Sequence, residues 1–168
     1  DVVVVNHHLY GAYLAADKAI LPEHRFVVFD EAHRLEDTMA SALGVELAGW
    51  RVWQLVRSAR ALPLIVGSAV ATRLTRALTT AATALDKSLG ETKPGRFQDP
   101  SDLAASGALE RLLSVVDDLV ATVRSATPST PAGVGAKARL LRLSGHMLGD
   151  LDFVATMEEG LVGWVEGG

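Results

Sequence analysis

The sequence predicts a mixed chain in which a short parallel βαβ unit is followed by a mainly α-helical bundle. Three observations carry that reading. Val2–Val5 and Phe26–Phe29 are apolar runs without polar alternation, the pattern of strands buried on both faces of a parallel sheet. Between them, Leu9–Ile20 is rich in Ala and Leu and long enough for a crossover helix, closed by Leu21-Pro22. Beyond residue 44, apolar residues recur every three and four positions over long stretches.

The first run is all β-branched, which favours a strand. Two strands and one helix cannot cover two sheet faces, so the unit must lean on missing strands or on whatever follows it; the sequence enters directly into a β-rich run without a Met, and is expected to be a piece of a longer protein. Glu36–Leu43 continues as helix, and Gly44–Gly49 is a junction whose glycines let the path turn. Trp50, Trp53 and Val56 then stand at helical spacing, with Arg51, Arg57 and Arg60 between them, and Pro63 ends or kinks that helix. Leu74, Leu78, Ala81, Leu85 and Leu89 form an amphipathic stripe.

Gly90–Pro100 reads as a loop, with Ser101-Asp102 as the cap of a helix whose apolar set is Leu109, Leu112, Leu113, Val116, Leu119, Val120 and Val123. Thr127–Gly135 reads as a second loop, followed by a helix over Lys137–Met157 that buries Leu140, Leu141, Leu148, Leu151 and Val154. These segments predict a four-helix packing. Leu161–Glu166 reads as a returning strand.

Of the 168 residues, 49% are hydrophobic and 21% charged, enough for a packed core. The formal charge of −4 gives no general attraction to nucleic acid, so any strand contact must come from local arginine clusters. There are no cysteines, which excludes disulfides and thiolate metal sites within these residues and fits a reducing compartment. Uncharged runs such as Ala61–Thr72 are too short to span a bilayer, and a cytoplasmic location is the simplest expectation.

The chemistry gathers at Asp30-Glu31-Ala32-His33, which closes the second apolar run. Carboxylates at the C-terminal edge of a parallel sheet sit where ligands bind; an Asp there can hold hydrated magnesium against nucleotide phosphates, and a neighbouring Glu can deprotonate the attacking water. The bland alternative is that two acids cap the following helix, whose dipole favours negative charge. A zinc-peptidase site is excluded, because no His-Glu-x-x-His occurs. His7 and His8 are adjacent, and adjacent residues on an extended chain point opposite ways, so one metal cannot easily take both. Trp50, Trp53 and Trp164 could stack bases, but helical spacing favours a core role. Arg51, Arg57, Arg60, Arg73, Arg76, Arg96, Arg139 and Arg142 could line a displaced strand or could be solvated faces.

Asp-Glu-Ala-His after an apolar strand resembles the Walker B element, or motif II, of superfamily 2 helicases. With Asp1–Leu9 before it and Arg34-Leu35-Glu36-Asp37 after it, the first quarter of the chain is similar to the corresponding stretch of the DinG/XPD family of DNA helicases. The resemblance implies that residues 1–43 are part of a RecA-like P-loop motor domain, that residues 44–158 are a helical arch inserted after the motif, and that residues 159–168 return into the motor. It implies an ATP- and magnesium-dependent enzyme moving 5′ to 3′ along single-stranded DNA, with forked DNA as a partner and a role in repair or replication.

By that resemblance Asp30 holds magnesium through water, Glu31 readies water for attack on the γ-phosphate, and His33 couples hydrolysis to the second RecA-like domain. Asn6 and His7 lie near the translocating strand, and Arg51 and Arg57 are further candidate DNA contacts. The family's iron–sulfur cysteines lie upstream of Val2–Val5, leaving no cluster site within these residues. No Gly-Lys-Ser/Thr loop and no counterpart of an arginine finger occurs, so these residues alone are not expected to hydrolyse ATP. Two other readings stand beside this one: a non-catalytic helical module binding protein or nucleic acid, and a superfamily 2 ATPase that remodels RNA.

Overall fold

A computed structural model of the chain describes residues 2–103, 105–157 and 161–166, and the backbone alone of residue 102. The chain divides into two compact units, residues 1–46 and 47–168.

The first unit holds helix α1 (His7–Ala15), a 3-10 turn at Ala32–Arg34 and helix α2 (Leu35–Leu43). Asn6 starts α1, its side-chain oxygen accepting the Leu9 amide at 2.8 Å, as an N-cap does. Helix α2 carries Glu36 and Asp37 in its first turn, where the helix dipole favours acids. The two helices meet at a seam of small residues. A β-carbon on Gly11 would lie 2.5 Å from that of Ala42, so only glycine permits this approach.

The apolar runs at residues 2–5 and 26–29 carry no strand ladder among the described residues, contrary to expectation. Their side chains are open: Val2, Phe26 and Val28 are 91%, 88% and 94% exposed. A strand requires a neighbour to take its N–H and C=O groups, and neither run finds one here. The crossover helix is also displaced toward the N-terminus, starting at His7 and ending at Ala15 rather than reaching Ile20.

The second unit is a helix bundle made of α3 (Gly49–Ser58), α4 (Ser68–Glu91), α5 (Ser106–Ser125) and α6 (Pro131–Ala155). Each helix packs on the next, and α3 also packs on α6, so the ring closes. Side-chain pairs fix the directions. Trp53 Nε1 donates to Asp86, Arg73 pairs with Asp118 at 2.9 Å, and Arg51 pairs with Asp150, each joining a residue in one part of a helix to the opposite part of its neighbour. The bundle therefore runs up-down-up-down.

Its core is aliphatic: Leu55, Leu62, Leu74, Leu78, Leu85, Leu112, Leu119 and Leu140 are almost wholly buried. The stripe on α4 is buried as expected from Leu74 to Leu85, with Leu89 half-buried, and α5 buries Leu112, Val116, Leu119, Val120 and Val123. On α3 the buried face is Val52 and Leu55, continued by Ala59 just past its end, instead of the tryptophan row; Trp53 packs at the margin and Trp50 is 63% exposed. After α3 the chain tightens into a 3-10 turn, Ala59–Leu64, which contains Pro63. On α6 the buried set includes Met147 and Ser144, whose hydroxyl is satisfied by donating to Leu140 O at 2.7 Å.

Both expected loops contain structure. Within Gly90–Pro100, β1 (Gly95–Phe97) pairs antiparallel with β2 (Gly163–Val165), Arg96 standing opposite Trp164 with its guanidinium over the indole. Within the segment expected to return as a strand, Gly163–Val165 is a strand and its partner is β1 of the helical unit; residues 158–160 and 167–168 lie outside the described residues. The expected Ser101-Asp102 cap is replaced by Asp99, which accepts the Ser101 amide at 2.8 Å and opens a 3-10 turn, and α5 begins only at Ser106. The backbone and side-chain hydrogen bonds from Ser101 hold the Asp99 carboxyl below its ordinary value. Helix α6 starts at Pro131 inside the second expected loop. Thr130 accepts the Gly133 amide, Pro131 takes the first turn, and Lys137 Nζ donates to the last carbonyls of α5 at Arg124 and Ala126.

The contrast between the core face of α5 and the exposed indole of α3 gives a direct check. Leu112→Ala should lower unfolding free energy by roughly 2–5 kcal/mol through transfer and cavity terms, whereas Trp50→Ala should change it by about 0.5 kcal/mol or less. Urea unfolding of both variants measures this, and a loss at Trp50 matching that at Leu112 would place the indole in the core.

Candidate functional site

In the first unit the chain folds so that His7, two residues past the first apolar run, meets Phe29, the last residue of the second. The His7 ring lies 5.9 Å from that of Phe29, and Tyr10 approaches the same ring edge-on at 5.4 Å. Tyr13 and His24 complete the cluster, with His24 held by Pro22 O at 2.8 Å. This aromatic group brings Asn6-His7 and Asp30-Glu31 to one end of the unit.

From Phe29 the backbone turns sharply. Glu31 has φ 50° and ψ 46°, the left-handed region that a residue with a side chain enters at a cost. The turn is stabilised from within: Asp30 Oδ1 accepts the Glu31 amide at 2.9 Å, and the Glu31 carboxylate Oε2 lies 3.1 Å from His33 Nδ1. Asp30, Glu31 and His33 are all exposed, and the 3-10 turn that contains His33 leads directly into α2.

Asn6 is committed to the α1 cap. His7 and His8 stand in the first turn of α1, where the extended-chain geometry assumed for them does not apply. His8 instead borders a shallow depression with Ala12, Ala16, Ser41 and Ala42. Arg51 and Arg57 belong to the second unit. Arg51 is partly buried against Asp150 and serves the α3–α6 contact, while Arg57 is exposed. Trp50 and Trp164 are open to solvent, contrary to the core role expected for them.

Among the described residues no group of three or more His, Cys, Asp or Glu side chains could hold a metal ion. No described helix is long and apolar enough to cross a membrane. Sequence reasoning missed Arg111, which faces Arg76 across a trough between α4 and α5; the signal was present as the polar counterpart of the apolar stripes.

The chain aligns with ATP-dependent helicase DinG of Mycobacterium tuberculosis, 38% identical over 97 residues, which is 58% of this chain and 14% of that protein. It also aligns with ATP-dependent DNA helicase YoaA of Escherichia coli, 29% identical over 129 residues, 70% of this chain and 19% of that protein. The chain is similar to a segment of DinG-like helicases. It spans less than a fifth of the length of either relative. No family model matches the chain, and no solved structure matches it.

The structural duty of Asn6 is testable. Asn6→Ala should cost about 1 kcal/mol through loss of the α1 cap, and Asn6→Ser, which keeps an acceptor, should restore most of it. Hydrogen exchange at the Leu9 amide reads the cap locally. Equal protection in the wild type and the Ala variant would remove the capping role.

Proposed function

We propose that the chain is the motif II portion and helical insertion of an ATP-dependent DNA helicase. The observation that carries this is the exposed Asp30-Glu31-Ala32-His33 turn within a chain aligned over more than half its length with a protein named ATP-dependent helicase DinG. Residues 2–5 and 26–29 are strands of a RecA-like parallel sheet that the rest of the motor completes; residues 44–158 form the arch, and the chain after them returns to the motor.

Magnesium takes one or two carboxylates beside phosphate oxygens and keeps several waters. One exposed carboxylate at the head of a turn suits that demand better than a closed cage would, so Asp30 fits as the holder of the ion through water. Magnesium-ATP brings the phosphoryl group to be transferred, and the phosphate cradle comes from the rest of the motor.

The work of this chain is positioning and proton transfer. The Asp30 carboxylate supports the left-handed turn at Glu31 by accepting the Glu31 amide. With His33 Nδ1 beside Oε2, Glu31 has Oε1 for the attacking water and takes its proton there. His33 touches this carboxylate and stands in the 3-10 turn that leads into α2, so the carboxylate and the helix are joined by a short stretch of chain. In the complete enzyme that link couples hydrolysis to the second motor domain and to 5′ to 3′ movement on single-stranded or forked DNA, in repair or replication.

The test is ATP hydrolysis by the full-length parent with and without single-stranded DNA. Glu31→Gln should lower turnover by about 10²–10⁴-fold while nucleotide still binds. Turnover that is unchanged by the substitution, or absent in the wild type, makes the acidic pair structural.

A further inference from the structure

We propose that the trough between α4 and α5 is a phosphodiester-binding site for single-stranded DNA, with Arg76 and Arg111 as its two cationic sides. The trough is an open depression of about 600 Å³, lined between its arginines by Ala69, Ala77, Ala81 and Val115. Arg73 and Arg76 rise from α4 and Arg111 from α5.

Arg73 is already tied to Asp118 at 2.9 Å, a contact that locks the two helices together at one end of the trough. Arg76 and Arg111 are different. Both are exposed, and among the described residues neither has an ion pair or a hydrogen bond. Two guanidinium groups facing one space, in a chain of formal charge −4, are a local concentration of positive charge against the general trend.

The lining decides between occupants. Its residues are short, and the cations that flank them favour an anionic occupant over a purely apolar one. A flat base or sugar can lie over such a surface while its phosphates meet the arginines. The planar guanidinium matches phosphate oxygens two at a time and stacks on a base face. Thr80, on the same face of α4 and lining the trough, adds a hydroxyl with no partner among the described residues. Arg73, Arg76 and Thr80 stand three and four residues apart and span about 10 Å of helix, enough to follow a stretch of backbone rather than one isolated anion.

The choice of DNA as the occupant rests on the helicase reading, and the test separates the two. The full-length parent is titrated with fluorescein-labelled oligothymidylate over a series of salt concentrations, as wild type and as Arg76→Ala/Arg111→Ala, with ATP hydrolysis measured alongside. Both substitutions are on exposed helical positions and should leave the unfolding transition in place. The double variant should bind about tenfold more weakly, and the slope of log affinity against log salt should fall by about 1.4, for two lost phosphate contacts on a single strand. An unchanged affinity and slope in a parent that does hydrolyse ATP in response to DNA overturns this site alone. A wild-type parent that binds no oligothymidylate overturns both the site and the helicase reading. Tighter binding of polyglutamate than of oligothymidylate at equal salt overturns the site as a nucleic-acid surface and assigns the trough to an acidic protein segment.

Discussion

The closed aliphatic core of the helical unit is the constraint on which the rest depends. Leu74, Leu78 and Leu85 from α4 meet Leu112, Val116 and Leu119 from α5 and Leu140 from α6, and the short α3 contributes Val52 and Leu55. Burial of such side chains is worth about 1.5–3 kcal/mol each before the entropy of ordering them is subtracted. Everything polar in the unit is arranged around that core. Asp86, Asp118 and Asp150 receive Trp53, Arg73 and Arg51 at its margin, and set the directions of the helices without entering it.

The same core fixes which faces point outward. Because Leu74, Leu78 and Leu112 turn inward, Arg73, Arg76 and Arg111 are left at the surface, where they border the α4–α5 trough. A basic surface feature thus follows from an apolar stripe by helical geometry. Gly133 shows how tightly the other end is drawn in: a β-carbon there would stand 2.4 Å from Leu64 O, so α6 can start beside the 3-10 turn only because that residue has none.

The long helices were legible in the sequence because their stripes repeat over many turns. Leu74 to Leu85 and Leu112 to Val123 offer one periodic solution each. Helix α3 is only ten residues long, and there the tryptophans outweighed the smaller Val52, which together with Leu55 forms the seam. The β1–β2 pair was not legible, since three polar-flanked residues within a Gly- and Pro-containing stretch carry no period and their partner lies far along the chain. Thr130-Pro131 was read as loop although Thr followed by Pro is also a helix start, a choice that the cap to Gly133 resolves. At the candidate site, the acidic pair and its histidine were visible as a motif. The left-handed Glu31, the Asp30 contact to its amide and the service of Asn6 as a cap were not, because backbone conformation at a single turn leaves no pattern in composition.

The exposed Asp30-Glu31 turn follows an apolar run that, like the one at residues 2–5, has no ladder among the described residues. Exposed β-branched and aromatic runs are costly to leave open, and the central claim is that they become sheet strands in the complete motor. Amide hydrogen exchange of residues 2–5 and 26–29, compared between this chain and the full-length parent, tests that claim most directly. The account predicts fast exchange here and protection in the parent that approaches its global stability, while α4 and α5 are protected in both. Fast exchange at these residues in the parent as well would contradict it, and would leave Asp30 and Glu31 at the end of a loop rather than at the edge of a sheet.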